Sequence, residues 1–288
     1  MSDPQITLCV ASYNAKYALA GMWESYCHFN PEWPAKLFVL DNGSIDGARE
    51  YAERHADLLL TANNSRSHGV CLTELGRRVE TEYMLTIDND IRFKAPGCMT
   101  VMMDNLDPAT TWAVCPHRPN TPKDSPITEE LKIGYSPNIC VGLFRTATFQ
   151  KVCKELDLGY AGDFTTGAVW ETGGLAWRVA RTHGLDSVEM AGLWNYVEHF
   201  GNMSTLWHHV PNYPSLEGMM DGPEIWGLEI YNERYGRVKS ALAEIRGCSV
   251  EELEAHEPEG PNHAVVEDLG WEWIKVYHPF LVAGAGIR

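Results

Sequence analysis

The chain has 288 residues, with 23 Lys and Arg against 39 Asp and Glu, a formal net charge of −16 at pH 7. A chain of this length buries about 75% of its unfolded surface, so its core needs no disulfide or metal staples. The hydrophobic fraction of 44% and charged fraction of 22% exclude a collagen, a coiled coil and a disordered tail, and the acidity argues against a broad phosphate-tracking surface while leaving room for a local basic cleft.

In chain order, residues 6–11 (ITLCVA) form an apolar run that predicts a buried strand, ending in Ser12-Tyr13-Asn14. Helical spacing over 15–28 follows, closed by Pro31 and Pro34, and KLFVL at 36–40 predicts a second strand halted by Asp41-Asn42-Gly43-Ser44. Residues 46–55 predict a helix, DLLLT at 57–61 a third strand, 70–80 a helix, and EYMLTID at 82–88 a fourth strand. This β-α alternation predicts an α/β fold with a mostly parallel sheet covered by helices on both faces. In such sheets the ligand crevice lies beyond the carboxyl ends of the strands, where three polar clusters fall: Ser12-Tyr13-Asn14, Asp41-Asn42-Gly43-Ser44 and Asp88-Asn89-Asp90.

Further along, the five prolines of residues 116–138 predict a long loop, 139–145 a strand, and 147–156 and 174–183 helices. Residues 223–247 are helix-like, and Ser249-Val250-Glu251-Glu252 is a capping box opening a further short helix. The last 28 residues carry no usable signal. The organisation expected is residues 1–212 as the main domain, split into 1–95 and 96–212, with 213–288 a mainly helical extension.

Eight cysteines are scattered without a C-x-x-C pair, which predicts reduced, buried thiols and no cysteine-based zinc site. Neither a signal peptide nor an apolar run of about 18 to 20 residues is visible, which predicts a cytoplasmic protein without a transmembrane segment. The sequence carries no signal for oligomeric state.

Asp88-Asn89-Asp90 after a buried strand places two carboxylates where they reach a hard divalent cation or form a surface turn. Asp41, ending another strand, is placed either to accept hydrogen bonds from a ribose or base or to close an Asx turn; Asp46 reads as a helix N-cap.

Taken in order, VASYN (10–14), LDNGSIDG (40–47), TIDND (86–90), ETGGLAWR (171–178) and VEHFGNMS (197–204) resemble the motifs of the inverting glycosyltransferases of family 2, which have the GT-A fold. The resemblance spans about 200 residues and implies a nucleotide-sugar donor (UDP-, GDP- or dTDP-sugar), a hydroxyl-bearing acceptor, Mn2+ or Mg2+, and a single displacement with inversion. It implies that Ala11, Ser12, Tyr13, Asn14, Asp41 and Asn42 line the donor nucleotide, with Asp88 and Asn89 by the ribose or diphosphate. Asp90, His199 and Asp88 would hold the metal. Arg66 is a candidate for neutralising the diphosphate, or a solvated loop cation, and Gly69 for close backbone approach.

The chain departs from the family at the base. The usual Glu-Asp is Glu171-Thr172, and threonine cannot serve as a base, so Glu171, Asp163 or another group takes the proton of the attacking hydroxyl. Trp170, Trp177 and Trp194 are candidates to stack on an acceptor, or core residues; Arg178 and His208-His209 read as structural and loop residues. The acceptor classes expected are a glycan, a lipid-linked sugar or a metabolite. Second comes a hydroxymethylated base in DNA, as for some phage enzymes, which needs a groove built from Arg77, Arg78, Arg92, Lys94, Arg118, Lys123 and Lys132. A nucleotide-sugar-binding protein without catalysis is a further alternative, and a nucleotidyltransferase is disfavoured because ASYNAKYALAG lacks a Gly-rich, basic loop.

Overall fold

A computed structural model describes residues 5–62, 68–117, 132–133, 140–159, 177, 179–200, 227–255 and 262–269. The first half is the expected alternation: β1 (Ile6–Ser12), α1 (Lys16–Phe29), β2 (Ala35–Asp41), α2 (Ala48–His55), β3 (Leu58–Thr61), α3 (His68–Arg77) and β4 (Tyr83–Ile87). After it come β5 (Ile91–Phe93), α4 (Cys98–Asp104), β6 (Thr111–Pro116), β7 (Lys132–Ile133), β8 (Val141–Arg145) and α5 (Thr146–Gly159). The remainder is β9 (Asp186–Met190), a 3-10 helix (Ala191–Asn195), β10 (Val197–His199), α6 (Gly227–Arg246), α7 (Val250–Ala255) and β11 (Val265–Asp268).

Nine strands form one sheet in the order β11-β3-β2-β1-β4-β8-β6-β9-β7. Strands β11, β3, β2, β1 and β4 run parallel, and β8 is antiparallel to both β4 and β6. Residues alternate between two cores. Leu8, Val10, Val39, Leu59, Leu85 and Ile87 pack with Leu19, Met22, Tyr26 and Tyr51 of α1 and α2. Cys9, Leu40, Leu60 and Met84 pack with Leu72 and Leu75 of α3 and with Trp112 and Phe149. Burial on both faces is why these strands read as continuous apolar runs. The chain therefore crosses the sheet on one face through α1 and α2 and on the other through α3. The strand order reverses between β1 and β4, which opens a crevice at their carboxyl ends.

A two-stranded antiparallel ribbon of β5 and β10 stands beyond the end of β4, with Val197 opposite Phe93 and His199 opposite Ile91. It is anchored by Phe93, fully buried edge-on against Tyr26, and by a hydrogen bond from the Phe93 N–H to Ser25 Oγ at 3.0 Å.

In the C-terminal residues, α6 and α7 fall where helices are expected, whereas β11 does not. α6 packs on the start of α1 through Val238, Ala241, Ala15 and Ala18, and Arg246 pairs with Glu24 at 2.6 Å. β11 adds an edge strand to β3, which no local pattern announces, because Val265-Val266-Glu267-Asp268 is exposed along its length. β7 likewise falls inside the segment expected to be loop; two residues qualify as strand only through their pairing with β9. The capping box is as expected: Ser249 Oγ accepts from the Glu252 N–H at 3.1 Å, and Glu252 Oε2 accepts from the Ser249 N–H at 2.8 Å. All eight cysteines are free and six are buried, and burial pushes the Cys98 thiol up to about 12.

Candidate active site

Two neighbouring loops at the carboxyl edge are stitched together by side chains that the sequence singles out. Ser12 and Asp41 are register partners, and the Asn42 N–H donates to Ser12 O at 2.9 Å. Asn14 adopts a left-handed backbone with φ of 47°. Its N–H donates to Ser44 Oγ at 3.0 Å, and its Oδ1 accepts from the Ile45 N–H at 2.8 Å. Asparagine tolerates this conformation better than most residues. Replacement by alanine is expected to cost about 1–3 kcal/mol, since it orphans a backbone donor and strains the turn. Asn14→Gly loses the bond but not the backbone freedom, so urea denaturation should rank wild type above Gly and Gly above Ala.

Asp41 is 2% exposed, and its carboxylate accepts from the Gly43 N–H at 3.3 Å and the Ser44 N–H at 3.2 Å, closing an Asx turn. Burial pushes its carboxyl above the usual range, and the hydrogen bonds from Ser44 and Gly43 offset that only in part. A raised carboxyl favours folding below the unfolded value of about 3.9 and costs stability as pH rises through the folded value. Asp41→Asn removes the titration, so its Tm should gain on wild type as pH rises above about 4. Thermal scans across that range check it; parallel curves would sink it. Asp46 was expected to be an N-cap, but Gly47 with φ of 92° occupies that position. Asp46 instead accepts from the Ala48 N–H at 3.0 Å and from the Lys16 N–H at 2.9 Å, tying the starts of α2 and α1 together.

Across the crevice, the Asp88 N–H donates to Cys140 O at 2.9 Å, and the Ile91 N–H to Asp88 O at 3.2 Å. The Phe200 N–H donates to Asp90 O at 3.0 Å, which holds the end of β10 against the aspartate turn. His199 Nε2 consequently stands 3.1 Å from Asp90 Oδ1 and 3.9 Å from Asp88 Oδ2. One ligand atom from each of Asp88, Asp90 and His199 lies within 4.8 Å of the others. His199 Nε2 is buried yet makes no hydrogen bond, because its approach to Asp90 is out of line for one. Ser12 Oγ, Asn14 Nδ2 and Asn89 Nδ2 are buried polar atoms at the same edge that also lack partners. Two carboxylates and an imidazole gathered beyond the carboxyl end of β4 are a donor set that suits Mn2+ and Mg2+, so these residues fit a divalent cation.

The electrostatics follow from the packing. Burial alone would raise the Asp88 carboxyl, but His68 and His199 outweigh it and hold it below its ordinary value. Burial opposes charge on His199, yet Asp90 and Asp88 raise its pKa. His68, in the first turn of α3, was not singled out by sequence. Its Nε2 stands 3.0 Å from Asp88 Oδ1, and Asp88 raises its pKa against burial. Nothing local marks His68; its place opening the helix that follows β3 is the one signal that could have found it.

Among the remaining candidates, Ala11 and Asn42 are half-buried, Tyr13 is buried, and Gly69 is buried in the first turn of α3. Arg66, Asp163, Trp170, Glu171, Arg178 and His208-His209 lie outside the described residues. Two of the tryptophans serve the fold: Trp177 Nε1 donates to Asp186 Oδ1 at 2.9 Å and Trp194 Nε1 to His117 O at 2.6 Å. Of the cations named for a basic groove, Arg77 pairs with Glu74, Arg78 with Glu74 and Glu267, and Arg92 with Glu244. A buried pair that sequence did not announce joins His117 Nδ1 to Glu189 Oε2 at 2.9 Å, between the ends of β6 and β9.

Fold and site together define an α/β protein with a mostly parallel sheet and an Asp-Asp-His cluster at the crevice where the strand order reverses. The chain is similar in fold to the mannosyltransferase PcManGT from Pyrobaculum calidifontis, solved in complex with GDP-Man and Mn2+, with 16% identity and a TM-score of 0.46 over 90% of this chain and 77% of that one. It is also similar to TarS 1–349 from S. aureus in complex with UDP, at 12% identity and a TM-score of 0.44, covering 84% of this chain and 70% of that one. A third likeness is to the apo form of the glycosyltransferase GlyE of Streptococcus pneumoniae TIGR4, at 14% identity and a TM-score of 0.42, over 65% of this chain and 46% of that one. No protein-family description and no curated protein matches the sequence. Among the described residues, no helix is long and apolar enough to cross a membrane.

Proposed function

We propose that the protein is a metal-dependent glycosyltransferase that moves a sugar from a nucleotide-sugar donor to a hydroxyl acceptor. The observation that carries this reading is the convergence of Asp88, Asp90 and His199 at the crevice, from two segments that the motif order pairs in advance. In this reading Asp90, His199 and Asp88 hold Mn2+ or Mg2+. The cation supplies charge neutralisation for the departing nucleoside diphosphate. Residues 1–95 form the donor half: Ala11 to Asn14 and Asp41-Asn42 frame the nucleotide, and the unpartnered Asn14 and Asn89 amides offer donors to its oxygens. Arg66 would add positive charge by the diphosphate, and Gly69 room for the backbone to approach it. Glu171, or Asp163, takes the proton of the attacking hydroxyl, and the displacement proceeds with inversion.

A glycan, lipid-linked sugar or metabolite is the acceptor class we favour over DNA, because Arg77, Arg78 and Arg92 are each spent on a carboxylate rather than left for phosphates. The test incubates the protein with UDP-, GDP- and dTDP-sugars and Mn2+, with glycan and hydroxymethylated-DNA acceptors in separate arms, and follows nucleoside-diphosphate release by mass spectrometry. Release with one donor and its acceptor is expected; neither release nor binding of any donor would overturn the reading. Near-normal transfer by Glu171→Gln would move the base to another residue.

A further inference from the structure

We infer that His68 is a positioning residue for the metal ligand Asp88, a role that rests on the metal-dependent reading above. The two oxygens of Asp88 face different histidines. Oδ1 lies 3.0 Å from His68 Nε2, while Oδ2 is turned toward His199 at 3.9 Å. His68 lies outside the Asp88-Asp90-His199 cluster, so it is placed to act on the carboxylate rather than to complete the ligand set. The backbone of Asp88 is pinned by Cys140 O and the Ile91 N–H, but its side chain is 26% exposed and borders a second carboxylate. Oδ1 is buried and makes no hydrogen bond, although His68 Nε2 faces it at 3.0 Å. A turn of the His68 ring that brings its N–H into line on Oδ1 holds that oxygen back and leaves the other presented to the cation. Groups of this kind orient metal-binding side chains, and their loss weakens metal binding by about 10–100-fold.

Three positions of the fold meet in this arrangement. β4 delivers Asp88, α3 delivers His68 from the opposite face of the sheet, and the β5–β10 ribbon delivers His199. His68 therefore couples the start of α3 to the cation site across the same crevice.

Mn2+ alone is the probe, titrated into the metal-free full-length protein and followed by the electron paramagnetic resonance signal of the free ion, with thermal unfolding of each metal-free variant alongside. His68→Ala is expected to weaken Mn2+ binding about 10–100-fold in the folded variant, whose metal-free Tm shows that it remains folded at the titration temperature. His68→Gln, whose amide N–H reaches the place of Nε2, should recover most of the affinity. His68→Asn, one methylene shorter, should not. Wild-type affinity in His68→Ala, or equal weakening in the Gln and Asn variants, overturns the positioning role and leaves the metal reading standing. Should His68→Ala fail to fold, the contrast between Gln and Asn decides alone. A wild-type protein that leaves all Mn2+ free overturns the metal reading itself, and the role of His68 with it.

Discussion

On the proposed function, Asp90→Ala is expected to lower metal-dependent donor turnover by on the order of 10³-fold, because it would remove a ligand from a cation that stabilises the leaving group by several kcal/mol. Asp90 is the most deeply buried member of the cluster, 4% exposed against 26% for both Asp88 and His199, so water has little access to replace it. Its backbone carbonyl still accepts from the Phe200 N–H in the variant, so the ribbon that carries His199 remains attached. The variant should fold with a Tm near that of wild type while releasing no nucleoside diphosphate above background and leaving Mn2+ free. Turnover that survives the substitution would remove Asp90 from the site.

Phe93→Ala should have the largest effect on stability among residues that support the site, about 3–5 kcal/mol. The ring is fully buried, and its centroid lies 5.3 Å from that of Tyr26 in an edge-to-face pair, so truncation opens a cavity at the base of the ribbon. The register carries the consequence to the site, since Phe93 opposes Val197 and Ile91 opposes His199. A loosened β5 spreads the positions of His199 and Asp90, so Mn2+ affinity in the folded variant should fall along with stability. Urea unfolding with an unchanged slope, paired with Mn2+ titration below the transition, separates the two effects. A loss below about 1 kcal/mol would show that the cavity collapses and that Phe93 does not brace the ribbon.

Much of the sheet was legible because its central strands are buried on both faces. ITLCVA, KLFVL, DLLLT and YMLTI carry their own signal as apolar runs between turn residues. Strands β5, β7, β10 and β11 were not legible, being two to four residues long and defined by partners distant in sequence. β6 was also missed, although every one of its residues is buried, because Thr111-Trp112-Ala113-Val114 follows a turn with no period to separate strand from loop. Trp177 and Trp194 show the converse: an aromatic residue announces burial, but whether its N–H serves an acceptor or a neighbouring strand depends on what stands opposite.

Periodicity and turn preference act over a few residues, so the β-α order and the turn chemistry that marks Asp88 and Asp90 could be read locally, whereas His199 was named only through the family resemblance. That β1 and β4 adjoin, that the β5–β10 ribbon carries His199 to within 3.1 Å of Asp90, and that His68 stands 3.0 Å from Asp88 are properties of the folded chain. These contacts form when distant segments bury their faces together, and no short window of sequence holds that information.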